Sequence, residues 1–161
     1  MTKTGLPQIV LVLDNIRSAH NVGSLFRTAD AVGVEKLFLC GTTPAPIDRF
    51  GRERSDVAKV ALGAEKNIAY ESVASTHEAV LKLKNDGYQI IAIEQSPQSV
   101  DYKKVVPTFP TAFILGTEVT GLSEEVLKLA DVVAKIKMAG KKESLNVVVA
   151  AGVTLFRILG K

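Results

Sequence analysis

Three short clusters of polar residues and glycines interrupt an otherwise apolar sequence, and their side chains could carry chemistry. In chain order they are Asn21-Val-Gly23-Ser-Leu-Phe-Arg27 (the first cluster), Gly116-Thr-Glu118-Val-Thr-Gly121-Leu122 (the second cluster) and Ile136-Lys-Met138-Ala-Gly140-Lys-Lys-Glu-Ser144-Leu145-Asn146 (the third cluster). Each lies where a buried strand should end or a helix should begin, and α/β proteins bind their ligands at such places. The guanidinium of Arg27 could grip a phosphate as a fork, and Gly116 would let the backbone approach a ligand closely.

The elements that must position these clusters alternate between strands and helices. Short apolar runs predict strands at Ile9–Leu13, Lys36–Cys40, Ala69–Val73, Tyr88–Ile93, Thr111–Leu115 and Asp131–Ile136. Helical patterns predict helices at Asn21–Val32, Ser55–Ala61, Ser75–Lys84, Glu124–Leu129 and Ser144–Leu159. The alternation predicts a three-layer α/β domain with a mostly parallel sheet. The last helix has a broad apolar face, which indicates either core or a subunit interface: Val147, Val148, Ala151, Leu155 and Ile158.

The composition is that of one globular domain spanning residues 1–161. Hydrophobic residues make up 47% of the chain and charged residues 23%. Cys40 is the single cysteine, which excludes an internal disulfide framework and a multi-cysteine zinc site and fits a reduced, cytoplasmic setting. Neither Met1–Gln8 nor the apolar run Val147–Phe156 has the pattern of a signal peptide or a membrane span. Without such a span, we expect no membrane partner. No metal-ligand cluster is visible, so we also expect no metal.

The charge and aromatic content bear on nucleic-acid binding. A net charge of +3 permits a nucleic-acid partner without demanding one. Few aromatic residues and no Trp argue against a surface that stacks many unpaired bases. The usual nucleotide-phosphate patterns are also absent, because no G-x-G-x-x-G follows the first strand and no Gly-Lys-Ser/Thr occurs. Their absence disfavours a small-molecule α/β enzyme.

The three clusters resemble the motifs of the SpoU/TrmH-type RNA ribose methyltransferases of the SPOUT superfamily. Asn-x-Gly-x-x-x-Arg, Gly-x-Glu-x-x-Gly-Leu and Ile-x-Met-x-Gly-x-x-x-Ser-Leu-Asn-Val follow the family order, and the resemblance covers nearly the whole chain. It implies a C-terminal trefoil knot, S-adenosylmethionine as cofactor and a homodimer with the site near its interface. The implied product is a 2′-O-methylated ribose in tRNA or rRNA. We expect a minimal catalytic domain without an appended RNA-binding domain.

The resemblance also implies the cofactor contacts. Gly116, Ile136 and Leu145 would contact S-adenosylmethionine, and Met138 and Ile93 would line the same pocket. Apolar side chains can sandwich adenine and leave its polar edge to main-chain groups. Without the motif context, Ile136 and Leu145 could equally be plain core residues.

The same resemblance implies a polar active-site set: Asn21, Arg27, Glu118, Ser144 and Asn146. Arg27 is the family's proposed activator, yet a guanidinium holds its proton at neutral pH and is a poor base. It could instead grip the phosphate beside the target ribose or stabilise the developing alkoxide. Ser144 could also be an ordinary helix N-cap. His20 lies beside Asn21 and histidine is a residue type that can act as a general base, but the family pattern does not require histidine there.

A basic segment is the candidate RNA-binding surface. It is Arg49-Phe-Gly-Arg52-Glu-Arg54 followed by Lys59, and Lys141 in the third cluster is a second candidate. Nearby acidic residues dilute the charge, so a solvated loop is the alternative. The rival to the enzyme as a whole is a non-catalytic RNA-binding protein that retains the fold.

Overall fold

The computed structural model of the chain describes residues 5–117 and 119–161. Glu118, a member of the predicted active-site set, therefore lies outside the described residues, as do residues 1–4 of the segment that was predicted to lack a signal peptide. Within the described part the strands are β1 (Ile9–Asp14), β2 (Lys36–Cys40), β3 (Ala69–Val73), β4 (Gln89–Ile93), β5 (Val100–Asp101), β6 (Thr111–Leu115) and β7 (Val132–Lys135). The helices are α1 (Ala19–Val32), α2 (Ser55–Ala61), α3 (Ala64–Asn67), α4 (Thr76–Asn85), α5 (Glu124–Leu129) and α6 (Val147–Leu159).

The strands form one sheet in the order β3-β2-β1-β6-β4-β7-β5. Each pairing between these strands is parallel. The predicted α/β class with a mostly parallel sheet is therefore confirmed. Parallel strands need crossover connections, and helices supply those after β1, β2, β3 and β6.

The core lies on both faces of the sheet. Along β1, Ile9, Leu11 and Leu13 face a layer formed by α1, α2 and α6. Val10 and Val12 face the opposite layer, formed by α4 and α5. A strand that is covered on both faces needs apolar residues at successive positions, which explains the continuous apolar run in the sequence.

The last helix begins later than predicted. It starts at Val147, and its N-cap is Asn146, whose Oδ1 accepts a hydrogen bond from the backbone N–H of Val148 at 2.8 Å. Ser144 is thus not the N-cap, because Asn146 fills that role two residues later. The residues from 136 to 146 remain a loop at the carboxyl edge of the sheet.

The apolar face predicted for this helix proves to be mostly core. Val147, Ala151, Leu155 and Ile158 are buried against the sheet. A second apolar stripe lies on another side of α6 and is exposed: Val149 (50%), Val153 (38%) and Phe156 (39%).

Gly23 of the first cluster lies where α1 and α2 pack closely together. A Cβ atom at this position would lie 2.6 Å from the carbonyl oxygen of Val57 and 3.0 Å from Cβ of Val60. Glycine therefore lets the backbone of α2 rest directly on α1. This contact holds α2 itself against the helix that carries Arg27.

None of the described helices is both long enough and apolar enough to cross a membrane.

Candidate functional site

A cavity of about 310 Å³ opens at the carboxyl edge of the sheet, beside the neighbouring strands β6, β4 and β7. The loop after each of these strands lines it: Glu94 after β4, Gly116 after β6 and Ile136 after β7. Carboxyl ends of adjacent parallel strands lie at one edge of a sheet, so the fold brings these distant segments together. The volume suits a small organic ligand.

The five residues that the resemblance implies as cofactor contacts all line this cavity: Ile93, Gly116, Ile136, Met138 and Leu145. The four apolar side chains among them are half-buried, and the buried Leu115 and Leu122 extend the same wall. Such a wall can hold a flat aromatic ring between apolar side chains.

The two glycines of the second cluster are required by close contacts around the cavity. A Cβ at Gly116 would lie 2.8 Å from Cδ2 of Leu122 and 3.0 Å from the backbone carbon of Gly121. Gly121 has φ +61°, and a Cβ there would collide with the carboxylate of Glu94. Only glycine adopts this backbone conformation readily and leaves the necessary space.

Glu94 and Gln95 join the three loops that line the cavity. Oε2 of Glu94 accepts a hydrogen bond from the backbone N–H of Leu122 at 2.7 Å. The side-chain amide of Gln95 donates to the carbonyl oxygen of Ile136 at 2.6 Å. Neither residue was predicted from the sequence. A carboxylate directly after an apolar strand was a signal that could have found Glu94, whereas Gln95 carried no such signal.

The described residues of the predicted active-site set lie in two separate parts of the chain, the third cluster and α1. Ser144 lines the cavity, whereas Asn146 caps α6. Asn21 lies in the first turn of α1, where its backbone N–H donates to Oγ of Ser18 at 3.1 Å, and Arg27 is exposed further along the same helix. Neither of these α1 residues lines the cavity, so one chain does not bring the first cluster to it.

Other reactive side chains do not compete with this site. Cys40 is buried, and desolvation raises the pKa of its thiol to about 12, so the thiol stays protonated at neutral pH. His20 is exposed in the first turn of α1. Across residues 5–117 and 119–161, no group of three or more His, Cys, Asp and Glu side chains could hold a metal ion.

Two arginines of the predicted RNA-binding segment are paired with aspartates. Nε of Arg52 donates to Asp48 at 3.0 Å. Arg54 forms a bidentate pair with Asp56, at 3.1 Å from Nε and 2.7 Å from the terminal nitrogen. The side-chain hydrogen bond from Arg54 lowers the pKa of Asp56. Arg54 uses both Nε and a terminal nitrogen for this pair, whereas Arg52 uses only Nε, so Arg54 is less available to a phosphate than Arg52.

The other members of the RNA-binding set are open to solvent. Arg49 lies with its guanidinium carbon 4.8 Å from the ring centre of Phe50. Lys59 on α2 and Lys141 in the third cluster are both exposed. The segment thus combines solvated cations with internal ion pairs, as its mixed charge indicated.

Comparison with known proteins decides the family. A model of the SpoU rRNA Methylase family matches residues 8–156. The chain belongs to this family. The matched range holds all three clusters, so the SpoU resemblance read from them is confirmed.

Relatives of this SpoU-family chain include characterised RNA methyltransferases. It is 33% identical over 148 residues to the tRNA (guanosine(18)-2′-O)-methyltransferase of Aquifex aeolicus, aligning 92% of this chain with 67% of that protein. The crystal structure of the A. aeolicus TrmH/SpoU tRNA modifying enzyme matches with a TM-score of 0.82 at 31% identity, over 96% of this chain and 75% of that one. The AdoMet-bound rRNA methyltransferase from Sinorhizobium meliloti matches with a TM-score of 0.81 at 29% identity, over 94% of this chain and 55% of that one. The chain thus spans about half to three quarters of the length of these SpoU relatives.

Proposed function

We propose that this protein transfers a methyl group from S-adenosylmethionine to a ribose 2′-hydroxyl in tRNA or rRNA. The observation that carries the proposal is the cavity where the second and third clusters meet, because all five implied cofactor contacts line it. The relatives support it, since they are tRNA and rRNA methyltransferases and one of them has AdoMet bound.

The residues of the cavity fit this cofactor. Apolar side chains from Ile93, Ile136 and Leu145 suit its adenine, and the space left at Gly116 allows close backbone contact. S-adenosylmethionine carries a sulfonium, an ammonium and a carboxylate, and Glu94 and Lys135 bring charges of both signs to the cavity wall. When bound, it supplies an electrophilic methyl group.

The chain's own polar residues would position the ribose and stabilise charge. Arg27 either grips the adjacent phosphate or stabilises the alkoxide that develops on the 2′-oxygen. Ser144 at the cavity, with Asn21, Asn146 and Glu118, orients this group and the substrate. Arg49, Arg52, Arg54, Lys59 and Lys141 form the proposed RNA-binding set, with Arg52, paired only through Nε, better placed than the bidentate Arg54.

A homodimer would bring the first cluster of one protomer to the cavity of another. Two observations support it: the first cluster does not line its own chain's cavity, and α6 exposes the stripe Val149, Val153 and Phe156. Positions i, i+4 and i+7 of a helix lie on one face. The stripe begins directly after the third cluster, so a second copy packed on it would place that cluster at the contact.

Replacing Val153 with glutamate should break the dimer, because a carboxylate would be buried in an apolar contact without a partner. Light scattering at micromolar concentration should report the wild type as a dimer and V153E as a monomer. Leu81, which is 39% exposed on α4 in the opposite layer from α6, provides the control L81E, which should remain dimeric. A wild type that scatters as a monomer would exclude the homodimer.

The methyltransferase proposal is tested by two measurements on the same preparation. Isothermal titration calorimetry with S-adenosylmethionine should show binding, and labelled methyl groups should pass to bulk bacterial tRNA or rRNA. Cofactor binding without transfer to either RNA would favour the alternative, a non-catalytic RNA-binding protein that keeps the fold. An absence of heat at high protein concentration would contradict the enzyme outright.

Further properties follow as predictions from family membership. They are the trefoil knot, action in the cytoplasm, independence of a metal ion and function as a single catalytic domain over residues 1–161.

A further inference from the structure

The loop before α2 presents an aromatic side chain at the tip of a tightly braced turn. Phe50 is 66% exposed. The carboxylate of Asp48 accepts hydrogen bonds from the backbone N–H groups of Phe50, at 2.8 Å, and Arg52, at 3.0 Å. Gly51 completes the turn with φ +78°. The main chain that carries the ring is therefore fixed before any partner arrives.

Two guanidinium groups accompany the ring. The guanidinium carbons of Arg49 and Arg52 lie 4.8 and 5.0 Å from the ring centre of Phe50. Arg52 is also tied to Asp48 through Nε, which leaves its terminal nitrogens as further donors. Aromatic rings and guanidinium planes are both surfaces on which unpaired RNA bases stack, and guanidinium groups also bind phosphates.

A cavity of about 550 Å³ lies beside this turn. Its walls include Phe50, Arg49, Arg54, Ile47 and Ser72 of β3. It is separate from the cavity of the second and third clusters, with which it shares no residue among the described ones. It is open to solvent, so a single base of a longer RNA can enter it.

We propose that RNA displaces a guanidinium from the ring of Phe50, so that one unpaired base stacks on the ring while Arg49 and Arg52 bind the flanking phosphates. The inference rests on the proposed function for the identity of the partner as RNA. The charge of the two arginines complements the RNA backbone, and the braced turn lowers the ordering cost of binding. One stacking position agrees with a sequence too poor in aromatic residues for an extended platform.

The position of the turn links it to the catalytic helix. α2 starts at Ser55, three residues after Arg52, and its backbone packs on Gly23 of α1. This packing sets the position of a base stacked on Phe50 relative to Arg27, which lies on α1. The stack would select RNA in which an unpaired base accompanies the target nucleotide.

The test measures binding of a fluorescein-labelled oligoadenylate and of bulk bacterial tRNA by fluorescence anisotropy. Phe50→Ala should weaken binding by about tenfold or more, the loss typical of one stacked base. Phe50→Tyr should bind as the wild type does, because it keeps the ring. Phe109 is another phenylalanine outside this turn and is 46% exposed. Phe109→Ala should leave RNA binding unchanged.

A second readout reports the stack itself. Fluorescence of 2-aminopurine placed in the oligonucleotide should be quenched by the wild type and by Phe50→Tyr, but not by Phe50→Ala. Calorimetry with S-adenosylmethionine should be the same for all variants, so a failure of cofactor binding would be recognised separately. The proposal is overturned if Phe50→Ala binds RNA like the wild type, if the wild type binds neither RNA, or if the substitution changes only the oligomeric state.

Discussion

Arg27→Ala should reduce labelled-methyl transfer by at least about a hundredfold, the loss seen when a group that stabilises transition-state charge is removed. The fold should tolerate the change, because Arg27 is exposed while its neighbours Leu25 and Phe26 are fully buried and hold α1 to the core. The melting temperature should therefore stay close to that of the wild type, as for other surface substitutions. Steady-state methylation and thermal unfolding on the same samples check both expectations.

The matched variant Arg27→Lys separates charge from geometry. A lysine keeps the positive charge but loses the planar fork, so activity well below wild type would indicate bidentate binding of a phosphate. Calorimetry with S-adenosylmethionine should be unchanged for both variants, because Arg27 does not line the cavity of its own chain. Collapse of the fold in Arg27→Ala would instead show that the residue is structural.

Replacing His20 with glutamine gives a control for the identity of the base. His20 is exposed one residue before Asn21, and imidazole is the side chain used most often as a general base. If Arg27, through phosphate or alkoxide contact, is the group that matters, His20→Gln should transfer methyl groups at a rate close to that of the wild type. A loss of about a hundredfold or more in His20→Gln would instead identify His20 as the base.

Gly116→Val should weaken S-adenosylmethionine binding by about ten- to a hundredfold. Even the Cβ atom would lie 2.8 Å from Leu122 and 3.0 Å from the backbone of Gly121. Because one of these contacts is backbone, the loop of the second cluster must move, and it forms a wall of the cavity. Gly121→Ala should act in the same direction, since it combines φ +61° with a collision against the carboxylate of Glu94.

Gly140→Ala is the matched control for these substitutions. Gly140 belongs to the third cluster, but nothing lies within 4 Å of a Cβ added there and the residue is not part of the cavity wall. Calorimetry should show that Gly140→Ala binds S-adenosylmethionine with an affinity close to that of the wild type. Equal losses at Gly116 and Gly140 would mean that the clash at the cavity is not the cause.

Elements could be predicted from the sequence where burial leaves a recognisable pattern of apolar residues. β1 and β6 are covered on both faces, so each appears as an unbroken apolar run. β5 was missed because two residues, Val100 and Asp101, carry no readable pattern. The start of α6 was misplaced because Ser144 and Asn146 are both good N-cap residues, and only the fold decides that Asn146 takes the role.

The cavity was predictable in part. Motif resemblance identified five of the residues that line it as cofactor contacts, but it did not identify Glu94, whose role depends on a hydrogen bond to a residue 28 positions later. Likewise, the spacing in the first cluster could not reveal that Gly23 makes room for α2. Contacts between residues that are far apart in the chain leave no recognisable pattern in a single sequence.

The order of the sheet separates the cavity from the turn of Phe50. Residues 9–73 build β3-β2-β1, and residues 89–135 build β6-β4-β7-β5, so the two parts meet within the sheet at the single pairing of β1 with β6. Among the described residues, every one that lines the cavity lies at position 93 or later, whereas the turn of Phe50 belongs to the earlier part. A substitution in that turn would therefore alter the proposed base contact without changing any residue of the cavity wall.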